Sequence, residues 1–152
     1  MMRHLTKILP NKKGYTLMEM LLVVGIITSV SALGLPIYGA LQNSDGVDVT
    51  LNTLVQDLYQ AQIFSRNEEN NSAWGVAIVG QKIYLYAGAS YATRNTAYDS
   101  IFTMPITITD SGLSEVDFSK LQGLPGTNGT FQLTGGGITR AVIINSMGMV
   151  DY

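Results

Sequence analysis

The sequence has no cysteine and a single histidine, His4. Without thiols there is no disulfide, no thiolate metal site and no cysteine nucleophile. His4 lies in the basic N-terminal stretch, so residues 15–152 hold no imidazole for metal ligation or for proton transfer near neutral pH. Charge is scarce too: 13% of residues are Asp, Glu, Lys or Arg, against 46% apolar. That balance excludes a disordered chain and is poor in charge for a plain soluble domain. No nucleophile–base signature is present, so nothing supports an enzyme, and no cofactor or metal motif is found.

What charge there is lies unevenly. Residues 1–14, MMRHLTKILPNKKG, carry Arg3, Lys7, Lys12 and Lys13 and no acid. Residues 15–152 keep five basic residues against eleven acidic ones, a formal −6. An acidic domain argues against broad contact with a nucleic-acid backbone, leaving at most a local patch at Lys120 and Arg140. From Met20 to Leu41 there is no formal charge at all. As a helix, this run of 22 residues would span ~33 Å, enough to cross a hydrocarbon core. Lysines flank it only on the N-terminal side, which orients residues 1–14 toward the cytoplasm and the remainder outward.

Periodicity then changes. Leu51, Leu54, Val55 and Leu58, extended by Val47 and Gln62, follow the spacing of one helix face over about 45–66, with Asp48, Asp57 and Gln60 falling largely away from it. Asn43-Ser44-Asp45-Gly46 would break or bend a helix continuing from the apolar run. After the polar loop 66–72 the period becomes two. Strands are expected at 73–79 and 82–87, joined by a two-residue turn at Gly80-Gln81, then at 101–109, 130–134, 138–145 and 149–152. Pro105 favours an edge or a bulge, and 88–100 and 110–129 read as irregular. The order predicts an α+β fold in which a long N-terminal helix, half membrane-spanning and half amphipathic, packs on an antiparallel β-sheet formed by 73–152.

The chemistry sits in Lys12-Lys13-Gly14-Tyr15-Thr16-Leu17-Met18-Glu19. A glycine leaves the backbone open to a protease. An aromatic residue follows, and a carboxylate stands four residues further on at the edge of the apolar run. An acid there costs up to ~3 kcal/mol and persists more easily beside a cation. Cleavage after Gly14 would create one, an α-amine on Tyr15. An ordinary secretory signal, cut after Ala32, would bury Glu19 in the apolar region and leave a greasy new N-terminus.

This stretch resembles the processing site of type IV prepilins and type II secretion pseudopilins. The resemblance covers about residues 10–41. It implies cleavage after Gly14 by a membrane-embedded prepilin peptidase and N-methylation of Tyr15, where the family usually has Phe. It implies an assembly salt bridge from Glu19 to a neighbour's amine and helix loosening at Pro36. Residues 1–14 are then the leader, 15–41 the transmembrane and assembly helix, and 42–152 an extracytoplasmic pilin-like domain. The subunit would stand as a single-pass inner-membrane protein, served by an assembly platform, before joining other subunits in a cell-surface or periplasmic filament. The stretch from Leu124-Pro125-Gly126 to the C-terminal strands is similar to minor pseudopilins of the H type. The alternative within the resemblance is a tip-located minor pilin acting as a binding module for DNA or a surface. Asp45, Asp48, Asp57, Glu68 and Glu69 match no calcium-loop spacing and read as a solvated face and loop, and Asp99, Asp110, Glu115 and Asp117 form the better candidate cluster for calcium.

Overall fold

A computed structural model describes the backbone of residues 14–152 and the side chains of 14–31 and 45–152. The expected leader, apart from Gly14, lies outside the described residues. The chain divides into two compact units, Met1–Tyr38 and Gly39–Tyr152. One α-helix, α1 (Leu17–Arg66), supplies residues to both. Asn43 to Gly46 are all helical, so that polar segment does not end the element. Among the described residues no helix is long and apolar enough to cross a membrane. The part of the predicted span from 32 to 41 lies outside the residues whose side chains are described.

In the second unit the predicted stripe is the buried face. Val47, Leu54 and Leu58 are fully buried, with Leu51, Val55 and Ala61 beside them. The opposite face carries Val49, Tyr59 and Ile63 in the open. Asp57 departs from expectation. It is half-buried at the margin of the stripe, and burial pushes its carboxyl up to about 6.

The chain then forms eight strands: β1 (Trp74–Ile78), β2 (Lys82–Ala87), β3 (Asn95–Thr103), β4 (Thr109–Gly112), β5 (Glu115–Phe118), β6 (Gly129–Gly135), β7 (Ile138–Ile144) and β8 (Val150–Asp151). The fold is α+β, but the single expected sheet is two. One sheet has the order β3-β2-β1-β5 and the other β4-β6-β7-β8, and all pairs are antiparallel. The split begins at Pro105. β3 stops at Thr103 instead of running to 109, because Pro105 has no N–H to continue a ladder and instead opens a turn closed by Ile108 N–H on its carbonyl (3.0 Å). The chain crosses to the second sheet as β4, back to the first as β5, and over again as β6.

The 110–129 stretch, expected to be irregular, contains β5 and all of β4 but Thr109. In β5 the alternation Glu-Val-Asp-Phe buries Val116 and Phe118 completely. β3 starts at Asn95, earlier than expected, and its register with β2 shifts between Leu85 and Ala87. The hairpin turn at Gly80-Gln81 is as predicted, with φ of 56° and 63°, the left-handed pair that suits strand twist. Gly75 is required for another reason. A Cβ there would lie 2.5 Å from the Tyr86 hydroxyl and 2.7 Å from the Val116 carbonyl oxygen. Leu54, Val76, Ile83, Phe118, Phe131, Leu133 and Val142 belong to one hydrophobic core shared by the helix and both sheets.

Candidate functional site

The first unit presents the predicted processing segment. Gly14, Tyr15 and Thr16 precede the first helical residue, Leu17. Among the described residues, its own chain neighbours aside, no atom lies within 4 Å of where a Cβ on Gly14 would stand, and Tyr15 is 77% exposed.

Thr16 caps the helix. Its Oγ1 accepts from the Glu19 N–H at 3.2 Å, and its carbonyl accepts from Met20 N–H at 3.2 Å. The Thr-x-x-Glu spacing is the sequence form of a capping box, which apolar periodicity does not reveal. Glu19 therefore has a local role as well as its candidate one: a carboxylate in the first turn suits the positive end of the helix dipole. It is also the one formal charge in residues 14–31.

From Met20 to Ser31 the exposed surface of the helix is largely apolar on every side. Met20, Leu21, Leu22, Val23, Val24, Ile26, Ile27 and Val30 are each more than 40% exposed. The hydroxyls that interrupt this surface turn inward. Thr28 donates to the carbonyls of Val24 and Gly25, Ser29 to Gly25 and Ser31 to Ile27, at 2.7–3.0 Å. Each hydroxyl satisfies itself on the preceding turn and needs no water. Residues 20–31 thus present a largely apolar surface whose hydroxyls are bonded to the helix backbone. Pro36 is helical in its backbone, but its side chain lies outside the described residues.

The acidic cluster does not assemble. Asp110 stands on β4 in one sheet, whereas Asp99, Glu115 and Asp117 stand in the other. Asp99 is held by Arg94, Nε to Oδ2 at 2.8 Å, and its Oδ1 is buried without a partner among the described residues. Glu115 accepts from the Tyr86 hydroxyl (2.8 Å) and from Tyr91 N–H (2.6 Å). Burial, followed by the Glu115 hydrogen bond, pushes the Tyr86 phenol well above its ordinary range. Arg94 also lies over the Tyr91 ring, 3.8 Å from its centroid. The acids here fasten the 88–94 loop to the outer face of the sheet. Among the described residues no three His, Cys, Asp or Glu side chains group as metal ligands. The basic pair Lys120 and Arg140 is neutralised locally, by Glu68 at 3.5 Å and Asp48 at 3.0 Å.

No protein-family model matches the chain, and neither a curated protein nor a solved structure is significantly similar to it.

Proposed function

We propose that the protein is a prepilin-like structural subunit, processed after Gly14, methylated on Tyr15 and assembled through its N-terminal helix into a type IV pilus or a type II secretion pseudopilus. The observation that carries this reading is the pairing of an exposed Tyr15, directly after Gly14, with a helical segment, residues 17–31, whose exposed surface is largely apolar and whose one formal charge is Glu19, in its first turn. Cleavage would place a new α-amine four residues before that carboxylate. In a dry bundle of such helices a lone buried carboxylate is costly, and a neighbour's amine is the group that removes the cost.

The finer architecture belongs to the same proposal. In it, Tyr15–Leu41 holds the subunit in the inner membrane, and the core-bearing unit stands outside as a pilin-like domain. Gly25, Ser29 and Ser31 give small positions at which helices of neighbouring copies pack closely. The partners are the prepilin peptidase, an assembly platform and further subunits.

Intact-mass measurement of the protein from its host tests the reading. The expected result is loss of residues 1–14 with gain of one methyl group. Gly14→Val should block that loss. Glu19→Ala should leave processing intact and sharply reduce filament yield. A mature chain beginning at Met1, or near Leu33, would overturn the proposal.

A further inference from the structure

A groove of about 320 Å³ opens where the last turns of α1 meet the turn before β8. Its walls include Tyr59, Gln62, Arg66, Met147 and Met149. The floor is fixed: the Gln62 amide donates to the carbonyls of Gly123 (3.0 Å) and Gly148 (3.1 Å). The rim is apolar and adaptable, with Met147 69% and Met149 65% exposed, and methionine side chains mould readily to a partner.

Arg66 gives the groove its charge. Of the five cations in residues 45–152, Arg94, Lys120 and Arg140 are each paired with an acid. Among the described residues Arg66 and Lys82 have no such partner, and only Arg66 lines the groove. The groove therefore suits an apolar side chain lying next to a carboxylate.

The helix itself carries that combination about six turns away. Asp45 is exposed and has no cationic partner among the described residues. Val49, more than half exposed, lies one turn further along the same face. Asp45 and Arg66 are separated by ~31 Å along the helix, so the two features cannot meet within one molecule.

We propose that the Arg66–Met147–Met149 groove receives the Asp45–Val49 turn of a second copy of this chain. Arg66 pairs with the incoming Asp45, and Val49 lies against the methionines. Such a contact joins different surfaces at opposite ends of the 45–66 helix segment, so it does not close on itself and builds head-to-tail rows. The assembly reading supplies the second copy, and this inference adds the surface by which copies register outside the membrane.

The absence of cysteine makes the test clean. The full chain carrying Val49→Cys and Met147→Cys is oxidised in host membranes and in detergent micelles. These positions are too far apart within one molecule for a bridge, which needs Cα atoms within ~7 Å. The expected product is a ladder of dimers, trimers and higher species. Arg66→Glu in that background should reduce the ladder several-fold, and adding Asp45→Arg should restore it, showing also that the charge variant folds. Arg66→Gln should weaken it less. Monomer alone, a closed dimer alone, or a ladder indifferent to Arg66→Glu overturns the groove contact. Leader removal and filament yield are read separately on the parent chain. Processed filaments that give no ladder defeat the groove and leave the assembly reading standing, whereas a ladder from an unprocessed chain does the reverse.

Discussion

The Ser65 hydroxyl lies between the two backbone polar groups of Trp74, accepting from its N–H at 2.8 Å and donating to its carbonyl oxygen at 3.3 Å. Ser65 is fully buried in the last turns of α1, and Trp74 opens β1. The Ser65 carbonyl in turn accepts from Leu121 N–H at 3.0 Å. One residue thus ties the end of the helix to a strand and to a distant loop. Ser65→Ala would leave the Trp74 N–H buried without an acceptor and should destabilise the protein by ~1–3 kcal/mol. Denaturant unfolding measures this, with the midpoint falling and the slope unchanged.

The two faces of α1 should respond very differently to truncation. Leu54 is fully buried in the shared core, and Leu54→Ala should cost ~2–5 kcal/mol through lost burial and the cavity left behind. Val49 is 56% exposed, and Val49→Ser should change monomer stability by less than ~0.5 kcal/mol. Similar losses at both positions would contradict the assigned helix face.

Thr16 offers a test of the helix start that is separate from processing. Thr16→Ala removes the acceptor for Glu19 N–H and should weaken the first turn by ~1 kcal/mol. Hydrogen exchange in micelles should show faster exchange at the Glu19 amide and little change beyond the next turn. Thr16→Ser, which keeps the hydroxyl, should behave like the parent.

Asp57 sets a pH dependence. Its carboxyl rises from 3.8 to about 6 on folding because burial disfavours the charged form. The folded chain therefore holds this proton more tightly than the unfolded chain. The resulting stabilisation is complete below about pH 4 and is lost as pH rises through about 6. Asp57→Asn should accordingly raise stability at pH 7.5 and have no such effect at pH 3.5. A sealed carboxyl shifted this far would yield roughly 3 kcal/mol, and screening of this half-buried one reduces the expected gain to about 1 kcal/mol. Thermal unfolding of both proteins across this range checks the sign.

Local patterns were legible in the sequence. The 3.6-residue spacing of Val47, Leu51, Leu54 and Leu58 marked the buried helix face, because every turn of a helix repeats the same demand for burial. Gly80-Gln81 marked a hairpin, because left-handed backbone is a property of the turn itself. The uncharged run after Glu19 was readable for the same reason, since it depends on neighbours in the chain. The boundary of β3 and the short strands β4 and β5 were not, because four residues of polar-apolar alternation carry little periodic signal.

What the tertiary structure alone decided are the relationships between distant segments. The division into two sheets depends on which strand each short segment pairs with after Pro105, and pairing across tens of residues leaves no mark on local composition. The same holds for Asp57, whose polarity argued for solvent until packing at the edge of the stripe took water away. It holds also for Arg66, an ordinary residue at a helix end until the Met147–Met149 turn folded beside it. Asp99 and Asp110, close in sequence, went to separate sheets. Charge and hydropathy determine which residues seek cover, and only the path of the whole chain determines what covers them.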